Sequence, residues 1–128
     1  MSLTTFRPSA PERAAKSAAS AERDSAPKVT VPSLLDKKLS RQPITVVTAY
    51  DYASARLVDE AGLDVILVGD SLAMVMQGHE NTLAITMDEM LLYTRGVRRA
   101  VRRALLVSDM PFGSYHVDDR EGVANALR

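Results

Sequence analysis

Val65-Ile66-Leu67-Val68-Gly69-Asp70-Ser71 is the stretch on which the fold turns. Its first four residues are apolar without alternation, the pattern of a parallel strand buried on both faces. The glycine that ends the run permits close backbone approach, and the acid and hydroxyl behind it stand at the strand's carboxyl end. Moving upstream, Asp51 can cap a helix that turns Ala55, Val58 and Ala61 inward, and Gly62 closes it where a left-handed residue is wanted. Before that helix, Ile44-Thr45-Val46-Val47-Thr48-Ala49 follows Pro43 and reads as a buried strand. Residues 31–39 read as a short helix opened by Pro32 or Ser33, with Leu34, Leu35 and Leu39 on one side.

Downstream, a loop is expected from Gly69 to about Ile85. Thr86-Met87-Asp88-Glu89 is a capping box and opens the longest helix. There Met87, Met90, Thr94, Val97, Val101 and Ala104 fall on one stripe, which reads as core. Arg95, Arg98, Arg99, Arg102 and Arg103 fall on the opposite, solvated side. Leu105-Leu106-Val107 is a third strand, ended by Asp109-Met110-Pro111, and Asp118-Asp119-Arg120-Glu121 starts a last helix.

Strands alternating with helices over short connections give an α/β fold with a parallel sheet. Three such units form either a small open sheet or the first part of a (β/α)8 barrel, which takes about 250 residues. Residues 1–30 differ in composition. They hold Pro8, Pro11 and Pro27, many Ser and Ala, and few large apolar side chains, and read as a disordered tail before a domain over 31–128.

Composition removes several function classes. The 128 residues carry 16 Lys plus Arg and 16 Asp plus Glu, a net charge of +0, unlike a basic nucleic-acid binder. No cysteine is present, so thiol nucleophiles, thiolate metal sites and disulfides are excluded. No apolar run approaches the roughly 20 residues of a membrane helix, and the expectation is a soluble, cytoplasmic chain without nucleic-acid or membrane partners. No glycine-rich phosphate fingerprint occurs.

Ligands of parallel α/β folds bind beyond the carboxyl ends of the strands. Asp70 and Asp109 emerge there from the second and third strands. If these strands are neighbours, the strands lie about 4.8 Å apart, and two carboxylates that close are best reconciled by a cation between them. Mg2+ suits the pair, taking one or two protein carboxylates and leaving positions for water and substrate oxygens, here those of a chelating oxyacid. Ser71 offers a hydroxyl to a substrate carboxylate. The plainer readings are that each Asp caps the following helix and that Ser71 makes a loop hydrogen bond. His79 and His116 have no metal-ligand spacing between them.

Thr48-Ala49-Tyr50-Asp51, the run from Asp59 to Leu72, Gly78-His79-Glu80-Asn81-Thr82-Leu83 and Asp109-Met110-Pro111-Phe112-Gly113-Ser114-Tyr115 occur in order. Together they closely resemble the ketopantoate (3-methyl-2-oxobutanoate) hydroxymethyltransferases, from about Leu34 to Arg128. The resemblance implies a (β/α)8 barrel, of which this chain covers about three βα units, and a homo-oligomer, commonly a decamer. It implies transfer of a hydroxymethyl group from 5,10-methylenetetrahydrofolate to 3-methyl-2-oxobutanoate, giving 2-dehydropantoate for pantothenate synthesis, with Mg2+. It places the metal aspartates on Asp70 and Asp109 and the substrate contacts on Asp70, Ser71 and Asp109. Ala73, Ala84 and His116 depart from residues common in the family. The family's later Lys-Leu-Glu-Gly-Gly segment and its general base fall beyond Arg128. The resemblance therefore implies a fragment, inactive alone, with no catalytic proton acceptor of its own. The alternatives are another Mg2+-dependent lyase or mutase of the phosphoenolpyruvate/pyruvate barrel type, or a non-catalytic remnant.

Overall fold

The structure is a computed structural model and describes Ser9, Pro11 and residues 27–128. The tail expected over 1–30 otherwise lies outside the described residues. At its downstream end the Val29 amide donates to the Arg103 carbonyl at 2.8 Å, so the packed chain reaches back past residue 30.

Helix α1 spans Val31–Leu39. Its cap is Thr30, not Pro32 or Ser33. The Thr30 hydroxyl accepts from the Ser33 amide, and the Ser33 hydroxyl accepts from the Thr30 amide at 2.9 Å, a reciprocal capping box, with Pro32 in the first turn. The side expected to carry Leu34, Leu35 and Leu39 is exposed at Leu35 and Leu39, and α1 buries no residue.

Three strands form one parallel sheet in the order β1 (Val46–Thr48), β2 (Val65–Val68), β3 (Leu105–Ser108). Val47, Ile66 and Leu106 share one level, and Thr48, Leu67 and Val107 the next. Helix α2 (Tyr52–Glu60) joins β1 to β2, and α4 (Met87–Ala100) lies between β2 and β3. The two helices pack on each other and on β2, so they occupy one face. Right-handed crossovers between successive neighbours demand this arrangement. Ile66 and Val68 of β2 are fully buried there with Ala55, Met90 and Val97, and Leu106 packs against them.

The opposite face carries Val46, Thr48, Leu67 and Val107, by the alternation of strand side chains. Val46 is 54% exposed and Val107 40%. This corrects the expectation that β1 is a buried strand: all three of its residues are exposed. β1 is the outer strand, paired on one side only, and no described helix covers its second face. The central strand β2 meets the expectation of burial, with only Leu67 half-buried.

The connection from 69 to 85 is not simply a loop. It holds a one-turn helix α3 (Leu72–Val75), whose Leu72 and Ala73 are buried, and a 3-10 turn (Thr82–Ala84) capped by the Asn81 side chain. The capping box at Thr86 forms as expected, with the Glu89 carboxylate accepting from the Thr86 amide at 2.8 Å. Helix α4 ends at Ala100, so Val101 and Ala104 are buried as expected but from the turn into β3 rather than from the helix. The arginine face shortens for the same reason. Arg95, Arg98 and Arg99 are exposed on α4, whereas the Arg103 guanidinium donates to the carbonyls of Gly62 (2.9 Å) and Leu63 (3.0 Å). Gly62 has φ +81°, the left-handed close expected after α2. Helix α5 (Asp119–Ala126) starts from an Asp118 cap.

At the amino-terminal rim Asp64 is the buried charged residue of the core, 3% exposed. Its carboxylate accepts from Lys37 Nζ of α1 (2.6 Å) and from both the amide and the hydroxyl of Thr45 (3.0 Å each). The lysine contact leads, and together these hold the carboxyl at about 2, below its ordinary 3.8. A depressed carboxyl stabilises the fold above its unfolded value and stops doing so as pH falls through its folded value. Unfolding free energy is expected to drop by about 2 kcal/mol between pH 4 and pH 2. Urea titrations across that window should show the loss, and Asp64→Asn should flatten it.

Candidate functional site

Each strand delivers its following residues to one carboxyl-terminal rim. Past β1 the ladder continues for one more bond, Ala49 amide to Leu67 carbonyl at 3.1 Å, and Tyr50 comes next, half-buried. Past β2, Gly69 is buried and the chain turns tightly, with the Ala73 amide bonded to the Asp70 carbonyl at 3.0 Å and the Met74 amide to the Ser71 carbonyl at 3.0 Å. Past β3, the Asp109 amide bonds to the Val68 carbonyl at 3.0 Å, and Pro111 is buried under the turn that follows.

These turns bring the residues singled out in the sequence together. Asp109 Oδ2 accepts a hydrogen bond from the Asp70 backbone amide at 3.1 Å, across the β2–β3 boundary. Asp70, Ser71 and Asp109 are all half-buried. The capping alternative does not hold for either acid. Asp70 leads into α3 rather than into a plain loop, but the cap of that helix is Ser71, with no side-chain capping bond. Asp109 is followed by a turn, and α5 is capped by Asp118.

Ser71 Oγ is 2.8 Å from Tyr50 Oη, a hydrogen bond from β2's rim to β1's. Gly69 makes room for this cluster. A Cβ at that position would lie 3.0 Å from Ser71 Oγ and 3.5 Å from Asp109 Oδ2. The close approach anticipated for this glycine is therefore to its own site residues.

The donor set suits a small hard cation. Among the described residues no Lys, Arg or His pairs with Asp70 or Asp109, which leaves the Asp70 carboxylate and Asp109 Oδ1 for an outside charge. No group of three or more His, Cys, Asp or Glu gathers among the described residues. Carboxylate oxygens of this kind are donors that a hard cation such as Mg2+ would take, with water and substrate oxygens completing its shell. Neither histidine joins the rim by a hydrogen bond. His116 Nδ1 accepts from the Gly113 amide at 3.1 Å, and its ring stacks on Tyr115 with centroids 4.2 Å apart. His79 is exposed on the loop before the 3-10 turn.

Tyr50 is the rim residue to which the sequence assigned no role. Its place two residues past β1 was visible; its bond to a residue 21 positions away was not.

The same stretch is matched by a family model described as ketopantoate hydroxymethyltransferase, over residues 28–128. The chain belongs to this family. Similar curated proteins named 3-methyl-2-oxobutanoate hydroxymethyltransferase include one from Koribacter versatilis, 67% identical over 79% of this chain and 34% of that protein. One from Pelobacter propionicus is 56% identical over 79% of this chain and 38% of its own length. One from Pyrococcus furiosus is 52% identical over 78% and 35%. The chain thus spans about a third of the length of the hydroxymethyltransferases it matches. The matched region holds every strand and helix described above, and with them the whole Asp70–Ser71–Asp109 rim. No helix among the described residues is long and apolar enough to cross a membrane.

Proposed function

We propose that residues 28–128 supply the metal- and oxoacid-binding rim of a cytoplasmic 3-methyl-2-oxobutanoate hydroxymethyltransferase that works as a homo-oligomer. The observation that carries the reading is the bond from the Asp70 amide to Asp109 Oδ2, which ties the two acidic residues together at the carboxyl ends of neighbouring parallel strands. The sheet order β1-β2-β3, with both crossover helices on one face, is compatible with the first part of a (β/α)8 barrel. In that setting the exposed face of Val46 and Val107 is the barrel interior.

The reaction joins C3 of 3-methyl-2-oxobutanoate to the one-carbon unit of 5,10-methylenetetrahydrofolate. C3 gives up a proton, the one-carbon unit's two bonds to the folate nitrogens break, water supplies the hydroxyl oxygen of the product, the nitrogens take up the two released protons, and 2-dehydropantoate and tetrahydrofolate leave. Asp70 and Asp109 would hold Mg2+, which would supply Lewis acidity toward the oxoacid. Ser71 donates its hydroxyl hydrogen to the substrate carboxylate and fixes its orientation. The two carboxylates alone would repel an anionic oxoacid, and a cation held between them would offset that charge.

A chimera tests the reading: residues 28–128 replace the matched third of the Koribacter versatilis protein. It is expected to form 2-dehydropantoate from the two substrates with Mg2+ and to stop when the metal is chelated. No turnover, under conditions where the unaltered Koribacter versatilis protein is active, counts against it.

A further inference from the structure

We propose that Tyr50 is a positioning residue that aims the Ser71 hydroxyl at the substrate carboxylate, an inference that rests on the reading above. The bond between Tyr50 Oη and Ser71 Oγ, 2.8 Å, is half-buried and spans the rims of β1 and β2. Each hydroxyl has one hydrogen to give. If Ser71 gives its hydrogen to an incoming carboxylate, its oxygen must receive one, and Tyr50 is the group placed to supply it. The order is then Tyr50 O–H to Ser71 Oγ, and Ser71 O–H to the carboxylate. Such a chain polarises the serine hydroxyl and removes its freedom to rotate.

The surroundings leave Ser71 few other choices. Its oxygen stands 3.0 Å from where a Cβ on Gly69 would be, so the hydroxyl fills the space that this glycine leaves beside Asp109 Oδ2. Its backbone is held by the turn into α3, through the Met74 and Val75 amides at 3.0 Å each. Tyr50 in turn is set by its buried neighbour Ala49, whose amide is tied to the Leu67 carbonyl at 3.1 Å. Phenol and serine thus sit on two rigid strand ends. Tyr50 makes no hydrogen bond to Asp70 or Asp109, so its effect falls on the oxoacid and not on the metal.

The test is a double-mutant cycle in the chimera, with Tyr50→Phe, Ser71→Ala and the pair. Calorimetry reads the affinity for 3-methyl-2-oxobutanoate with Mg2+ present, and separately the affinity for Mg2+ alone. Tyr50→Phe is expected to weaken oxoacid binding about fivefold, the worth of one neutral hydrogen bond, with Mg2+ affinity kept. In the Ser71→Ala background the same change should have no further effect. Equal oxoacid affinity in Tyr50→Phe, or a fivefold loss that persists without the serine, overturns this inference and leaves the functional reading standing. An unsubstituted chimera that binds no oxoacid overturns both.

Discussion

Asp70→Ala and Asp109→Ala are each expected to weaken Mg2+ binding by about a hundredfold in the chimera, since loss of one charged contact costs about 3 kcal/mol. The two changes are not equivalent. Asp70 gives the site only its carboxylate, whereas Asp109 also accepts the Asp70 amide through Oδ2. Removing Asp109 therefore takes away a ligand and loosens the turn that aims the other one. Asp109→Asn separates these roles, because the amide oxygen can still accept from Asp70 but carries no charge. Its Mg2+ affinity should stay as low as that of Asp109→Ala while the unfolding midpoint returns to that of the parent. Calorimetry that finds unchanged metal affinity in both alanine variants would refute the assignment of this rim as the metal site.

The second large effect belongs to stability. Asp59, at the end of α2, accepts from the backbone amides of Arg102 (3.0 Å), Arg103 (3.2 Å) and Ala104 (2.8 Å). These amides lie in the turn between α4 and β3, where no helix or ladder partner is available to them. One carboxylate thus fastens the first crossover to the second and fixes the entry of β3. Asp59→Ala removes the acceptor of the Arg103 and Ala104 amides, which are withdrawn from solvent, each costing about 1 kcal/mol or more. Urea unfolding of the chimera should show a loss of about 2 kcal/mol. Asp59→Asn, with one acceptor oxygen left, should recover part of it. A loss below about 1 kcal/mol in the alanine variant would show that water replaces the carboxylate at no cost.

How much of this was legible follows from the range of the interactions. β2 was readable to the residue, since an unbroken apolar run between Asp64 and Gly69 has one sheet solution. The start of α4 was readable because the capping box at Thr86 and Glu89 is a local code. Asp70 and Asp109 could be placed on one rim because parallel strands point the same way. α3 escaped because a single turn is too short to show a period. β1 looked buried because its β-branched residues speak of strand and not of position in the sheet, and the outer place leaves it exposed. Arg102 and Arg103 looked like part of a helical face until Asp59, 43 residues away from the first, claimed their amides. The Tyr50–Ser71 bond is of the same kind, a contact that exists only once the sheet has formed.

The two ends of β2 hold acids of opposite purpose. Asp64 is locked to Lys37 and Thr45 at one end, and Asp70 is kept open at the other, a span of roughly 20 Å along an extended chain. Thermal tolerance and turnover can therefore be tuned as separate dials. Substitutions around Lys37 would move the melting temperature without disturbing chemistry, and those confined to the Asp70 carboxylate would do the reverse.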